Sequence, residues 1–94
     1  GARHPFNLGV LGWAHYRNGQ FGNAVQFLER AVAASPAEVP QLRYYLGMAY
    51  LKTANAVGAR EELQAAVDKA VVTGTTFGGL SEARETLKTL PVAN

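Results

Sequence analysis

Apolar residues recur along this chain in steps of three and four, in five stretches separated by Gly, Pro, Asn or Ser. That period belongs to helices with one buried face. The first helix is expected to begin near Pro5 or Phe6, since Pro suits the first helical position. It carries Leu8, Leu11 and Ala14, with Val10 and Trp13 one turn round, and stops at Asn18-Gly19. The second carries Phe21, Ala24, Val25, Leu28, Ala31 and Val32. Gln20, Asn23, Gln26, Glu29 and Arg30 fall outside that stripe, and Ser35-Pro36 closes it. The third runs from Pro40 or Gln41 to Thr53, with Leu42, Tyr45, Leu46, Ala49 and Tyr50 inward. Asn55 is the expected N-cap of a fourth helix from Ala56 to about Val72, striped by Ala59, Leu63, Ala66, Val67 and Ala70. Thr73 to Thr76 reads as a loop. The last helix spans roughly Leu80 to Leu90, with Ala83, Leu87 and Leu90 on one face, Ser81 as its cap and Pro91 as its stop. No stretch alternates with period two, so the fold class is all-α.

The chain also matches itself at an offset of 35 residues. Leu11-Gly12 falls on Leu46-Gly47, Ala14 on Ala49, Ala24 on Ala59, Leu28 on Leu63, and Ala31-Val32 on Ala66-Val67. A period of this size indicates stacked helical hairpins. The matched residues resemble the tetratricopeptide repeat family, whose pattern of Trp, Leu-Gly, Tyr, Ala, Phe and Pro recurs about every 34 residues. The first repeat offers Leu8, Leu11-Gly12, His15, Ala24, Leu28, Ala31 and Pro36. The second offers Arg43, Leu46-Gly47, Tyr50, Ala59, Leu63 and Ala66. Gly12 and Gly47 would let paired helices approach, Ala24 and Ala59 would sit at the crossings, and Leu28 and Leu63 would fill the space between. The pattern is imperfect. Its leading aromatic is Leu8 in one repeat and Arg43 in the other, its closing Pro is missing from the second, and Gly19 is replaced by Ala54. The resemblance implies an α-α superhelix, a right-handed solenoid of two repeats (about 5–38 and 40–72) and a capping helix (about 79–90). The run from Arg43 through Phe77 to SEARETLKTL also looks like the C-terminal end of bacterial tetratricopeptide proteins, some of them associated with exosortase and polysaccharide-export systems.

In that family the first helix of each repeat lines a concave groove. The matched positions here are Gly9, Trp13, Tyr16 and Arg17, then Tyr44, Met48, Leu51 and Lys52. Trp, Tyr, Met and Arg are the residue types that dominate binding hot spots. The resemblance therefore implies a protein partner, a peptide or helix, held by Trp13, Tyr16, Arg17, Tyr44, Met48, Leu51 and Lys52. The alternative is that Trp13 and Met48 complete a small core. The Lys and Asn clamp by which some family members grip a carboxylate is absent, because Gly9 and Trp13 stand in its place. A more apolar or amphipathic partner is the expectation.

The first helix is apolar around most of its circumference, through Phe6, Leu8, Val10, Leu11, Trp13, Ala14 and Tyr16. Such a helix expects burial on more than one side, and repeats of this kind usually come in threes or more. Its open side is expected to meet upstream repeats or a second copy, as in a homodimer. The chain, which opens at Gly1-Ala2, reads as a piece of a longer protein, and a role as the structural C-terminal cap of a longer array is the second functional expectation.

Charge and chemistry change this picture little. Charged residues make up 17% of the chain and the net charge is +2. The basic residues are scattered singly, which argues against nucleic acid. There is no Cys, so disulfides and Cys-based metal sites are excluded. No apolar run approaches a membrane span. His4 and His15 have no carboxylate cluster beside them, His15 being read as a core or partly buried residue. Glu61 and Glu62 point to different faces and read as solvated. No Ser or Thr has a matched base, and Gly78-Gly79 lacks the rest of a phosphate loop. No cofactor, metal or catalytic activity is expected, and the compartment, bacterial cytoplasm or periplasm, is not fixed.

Overall fold

The structure, a computed structural model, describes residues 5–35 and 39–91, with side chains in the first helix from residue 7 onward. Five helices follow one another: α1 (Pro5–Arg17), α2 (Phe21–Ala34), α3 (Pro40–Lys52), α4 (Ala56–Thr73) and α5 (Leu80–Thr89). There is no strand among the described residues. α1 pairs with α2 and α3 with α4; α2 then packs on α3, and α5 on α4. This is the stack of two helical hairpins and a final helix that the repeat implies. The expectations placed on His4, on the side chain of Phe6 and on Pro36 lie outside the described residues.

Small residues set the hairpin spacing. A Cβ placed on Gly12 would lie 2.5 Å from Leu28 Cγ, and one on Gly47 would lie 2.7 Å from Leu63 Cγ. Leu28 and Leu63 are fully buried at these crossings, as are Ala24 and Ala59. The repeat signature is therefore a packing device: the Gly removes a side chain so that a Leu from the paired helix fills the gap.

The helix ends repeat as well. After α1, Gly19 takes a positive φ of 78°, and Gln20 N–H donates to His15 O at 2.8 Å. After α3, Asn55 N–H donates to Tyr50 O at 2.9 Å, with Ala54 held at φ 62°. After α4, Gly74 takes φ 66° and Thr75 N–H donates to Ala70 O at 3.0 Å. All three are left-handed caps in which a later N–H reaches back to a free carbonyl. Ala54 holds the left-handed place that Gly19 holds in the first repeat. Asn55 caps α4 as expected, its side chain accepting from Gly58 N–H.

Three expectations are corrected. Ser81 does not cap α5: Gly79, at φ 106°, is the N-cap and offers no side chain. Glu62 is not simply solvated, because it is half-buried and paired with Arg43 at 2.9 Å. The α1 stripe is the third. Leu8 is buried, with Gly9 and Gly12, while Val10 is 53% and Leu11 40% exposed and Ala14 is also exposed. α1 meets α2 and α3 through its Leu8 and Gly12 side, and no described element covers the other side.

α5 closes the opposite end of the stack. Its Ala83 is fully buried in a cluster with Leu63, Ala66 and Val67 of α4. Leu80, Leu87 and Leu90 pack around that cluster. Its last carbonyls, which have no partner inside the helix, are taken by Arg60. The guanidinium donates to Leu87 O at 3.2 Å, Leu90 O at 2.9 Å and Pro91 O at 2.9 Å. A cation is also favourable beside the negative end of a helix dipole.

Candidate functional site

α1 and α3, the first helices of the two hairpins, bring their aromatic residues together. Trp13 stacks on Tyr16 one turn further along α1, with ring centroids 4.3 Å apart and planes within 9°. It stacks equally closely on Tyr45 of α3, at 4.3 Å and 13°. Tyr44 lies tilted at 5.9 Å from Trp13 and at 5.9 Å from Phe77. At the other end, Tyr16 meets the edge of Phe21 at 5.4 Å, and Lys52 Nζ stands 5.8 Å from the centre of the Phe21 ring. The result is a continuous aromatic run from Phe77 to Phe21 across both hairpins. Stacked and edge-on pairs of this kind stabilise by about 0.5–1.5 kcal/mol each beyond the area they bury.

The seven residues assigned to the groove separate into two groups. Trp13, Tyr16, Leu51, Tyr44 and Met48 share one cluster. Within it Tyr44 and Met48 are buried, at 5% and 8% exposure, whereas Trp13, Tyr16 and Leu51 remain half-buried. Arg17 and Lys52 are exposed. The covering of Tyr44 is the work of the segment entering α5. Gly79 lies so close on the Tyr44 ring that a Cβ there would overlap it. Phe77 packs tilted against the same ring, with centroids 5.9 Å apart, and the Glu82 carboxylate lies near enough for its charge to act on the Tyr44 hydroxyl. Tyr44 and Met48 thus support the surface from beneath, while Trp13, Tyr16, Leu51, Arg17 and Lys52 are the members that reach solvent.

Sequence reasoning missed three participants. Tyr45 appeared as an inward packing residue, and it is also the partner that stacks on Trp13. Phe77 had no role, although a lone aromatic in a Thr- and Gly-rich loop is the kind of residue that anchors a loop to a core. Glu82 carried no signal, because its position over Tyr44 follows from the path of the chain into α5.

The tyrosines are held neutral. Burial and then the charge of Glu82 push the Tyr44 hydroxyl up to about 12, with Tyr16 and Tyr45 adding to the effect. Burial and, next, the Glu82 charge raise Tyr16. Burial raises Tyr45, against the hydrogen bond it accepts from Gln41. Burial also raises Tyr50, together with the 2.6 Å hydrogen bond it donates to Glu29 and the charge of that carboxylate. His15 is half-buried, stacked on Phe27 at 5.1 Å and hydrogen-bonded through Nδ1 to Gln20 Oε1 at 2.6 Å. These contacts tie α1 to the start and middle of α2.

A charged cleft lies on another side of the molecule, along α4, where Arg43, Arg60 and Glu62 are among the lining residues. Its cations are already engaged: Arg43 with Glu62 and Arg60 with the end of α5. Among the described residues no helix is long and apolar enough to cross a membrane.

Comparison with known proteins returns one family. The sequence pattern described as "Tetratricopeptide repeat" matches residues 15–72, more than half of the chain. Neither the curated proteins nor the solved structures gave a match. Two stacked helical hairpins, the Gly–Leu crossings and the aligned family pattern agree: this chain belongs to the tetratricopeptide repeat family, whose repeats mediate protein–protein interaction.

Proposed function

We propose that this chain holds a peptide or helix of a partner protein against the inner face formed by α1 and α3. Trp13, Tyr16 and Leu51 are its apolar contacts, and Arg17 and Lys52 its rim. The observation that carries this reading is the half-exposure of Trp13 and Tyr16 at the centre of an otherwise packed aromatic cluster. Large, rigid aromatics already held by their neighbours lose little freedom on binding, which is what makes such residues effective anchors. Tyr44 and Met48 contribute by fixing Trp13 from below. A photo-crosslinking amino acid at position 17 or 52 should capture a defined protein from cells of the source. The same group at Gln26, exposed on α2, should not. Identical capture at all three positions would count against the inner face.

A second reading, as the structural end of a longer assembly, has its own support. Asn7, Val10, Leu11 and Ala14 of α1 are exposed. Their counterparts 35 residues on are Leu42, Tyr45, Leu46 and Ala49. Of these, Leu46 and Ala49 are buried against Ala24 and Leu28 of α2. The open side of α1 is thus the copy of a face that, in α3, packs on the second helix of the preceding hairpin. A preceding repeat or a second copy of the chain would cover it. Mass measurement in solution tests this: association abolished by Leu11→Glu supports it, and a strictly monomeric, high-melting chain at high concentration counts against it.

A further inference from the structure

The turn between α1 and α2 presents a side chain that neither packing nor capping uses. Four asparagines lie among the described residues, Asn7, Asn18, Asn23 and Asn55. Of these, Asn18 alone is followed by glycine. Asn18 and Gly19 are both exposed. The Asn18 backbone N–H is donated to Ala14 O and His15 O, both at 3.1 Å, but its carboxamide has no hydrogen-bond partner among the described residues. Gly19 stands at φ 78°, with nothing within 4 Å of the place a Cβ would take. The carboxamide carbon and the next peptide nitrogen are thus neighbours in the chain, with open space around them. The second repeat differs. Its left-handed position is Ala54, and its asparagine comes one residue later and precedes Ala56. There the Asn55 side chain is occupied, accepting from Gly58 N–H at 2.9 Å.

We propose that Asn18 is a site of self-modification, at which the side-chain amide is exchanged for an acid without an enzyme or a cofactor. Gly19 N attacks Asn18 Cγ. The N–Cγ bond forms, the Cγ–Nδ2 bond breaks, and ammonia leaves with the proton that Gly19 N gives up. The product is a cyclic imide, and water then adds to one of its two carbonyls. Opening on the Cγ side restores the ordinary backbone, with an aspartate side chain. Opening on the other side leaves isoaspartate, whose backbone runs through Cβ and Cγ. The overall change consumes one water and releases one ammonia, and nothing is oxidised or reduced. Reacting atoms held as neighbours close such a ring readily, and glycine leaves the path clear because it has no Cβ. The fold acts as the gate. Gly19 N–H is donated to Tyr16 O at 3.0 Å, so this nitrogen must leave that carbonyl before it attacks, and the reaction follows the local opening of the turn. Both products put a carboxylate beside Arg17 at the C-terminal end of α1, where negative charge is unfavourable. Isoaspartate also lengthens the backbone between His15 O and Gln20 N–H, which meet at 2.8 Å, and so works against the hydrogen bond between the same two side chains. The hairpin should loosen where α1 turns into α2.

Incubation of the folded chain in mildly alkaline buffer tests the proposal. Each asparagine is read by peptide-mapping mass spectrometry, and isoaspartate is labelled with an isoaspartyl methyltransferase. Acid should accumulate at position 18 at least roughly tenfold faster than at Asn7, Asn23 or Asn55. Gly19→Ala should slow the reaction by roughly tenfold or more. The turn should survive that change, because Ala54 holds the same left-handed place in the second repeat; unchanged helicity checks this. Asn18→Gln, which would have to close a larger ring, should give no product at position 18. Denaturant should speed the reaction of the parent chain, since Gly19 N is then free of Tyr16 O. The modified fraction, separated by charge, should melt below the unmodified one. An Asn18 amide that stays intact in the folded chain, under conditions that convert the denatured chain, would overturn the proposal. So would conversion of Asn23 or Asn55 at the same rate, or an unchanged rate in Gly19→Ala. Equal rates in the folded and denatured chain would overturn the gating by Tyr16 O, and equal melting of the two fractions would overturn the effect on the hairpin.

Discussion

Replacing Arg60 by Ala should release α5 selectively. The side chain donates three hydrogen bonds, all to carbonyls at the end of that helix. A hydrogen bond from a charged donor contributes about 1.5–3 kcal/mol where water is excluded, and less where it is not. Two of the three bonds here are partly buried and one is exposed, so water replaces much of each lost contact and the net is about 0.5 kcal/mol per bond, the bottom of the ordinary range. The interaction with the helix dipole adds about 0.3–1 kcal/mol. A total near 2 kcal/mol follows, about a 30-fold rise in the opening of α5. Because all the acceptors lie in one place, the loss should be local. Amide hydrogen exchange should show reduced protection across residues 82–90, with α2 amides far less affected. Arg60→Met, which keeps the apolar stem, separates hydrogen bonding from packing and should reproduce most of the change. Unaltered α5 protection in Arg60→Ala, or an equal loss throughout the chain, would refute the view that this guanidinium is what fastens the last helix.

Other consequences are equally direct. Ala54→Gly should stabilise the protein, since a left-handed Ala costs roughly 1–2 kcal/mol and Gly gives back about half in unfolded-chain entropy; a melting point raised by a few degrees is expected, and a lowered one would contradict the strain. Gly47→Ala should destabilise by about 1–3 kcal/mol, because the new methyl meets the Leu63 side chain and, at 3.3 Å, the Ala59 carbonyl; a denaturant midpoint equal to that of the parent would refute the close crossing. All four tyrosines are raised above their ordinary value. Their stabilising effect is fully present below pH 10, the unfolded value, and is lost as pH climbs through the folded values, about 12 for Tyr44. Tyrosinate absorbance should therefore appear together with loss of helicity; ionisation near pH 10 with the helices intact would show that the rings are not held as described.

How far the sequence disclosed this structure depended on how many neighbours each helix has. α4 packs by one stripe, and Ala59, Leu63, Ala66, Val67 and Ala70 are all buried as the spacing indicates. α2 behaves likewise through Ala24, Leu28 and Ala31. α3 is enclosed by α2, α4 and the segment leading into α5, so Tyr44 and Met48 are buried as well as Leu42, Leu46 and Ala49. A helix buried on several sides carries no single stripe, and its periodicity names only part of its contacts. In α1 the reverse holds. Leu11 and Ala14 belong to the repeat pattern, yet the packing that buries their counterparts comes from a preceding hairpin. The candidate site followed the same rule. The seven matched residues lie on α1 and α3, but the covering of Tyr44 comes from Gly79 and Phe77, whose placement depends on the turn after α4. The cap of α5 escaped detection for a similar reason: Ser81 has the right chemistry, but the positive φ of Gly79 starts the helix two residues earlier.

The central claim is that the half-exposed aromatic surface of α1 and α3 is where a partner sits. Titrating isotope-labelled protein with a peptide selected against the whole chain from a random library, and following side-chain and amide chemical shifts by NMR, tests it most directly. The account predicts the largest changes at the Trp13 indole, Tyr16, Leu51 and Lys52, with the outer residues of α2 and α4 unmoved. Shifts confined to α2 and α4, with the Trp13 indole unchanged at saturation, would contradict it.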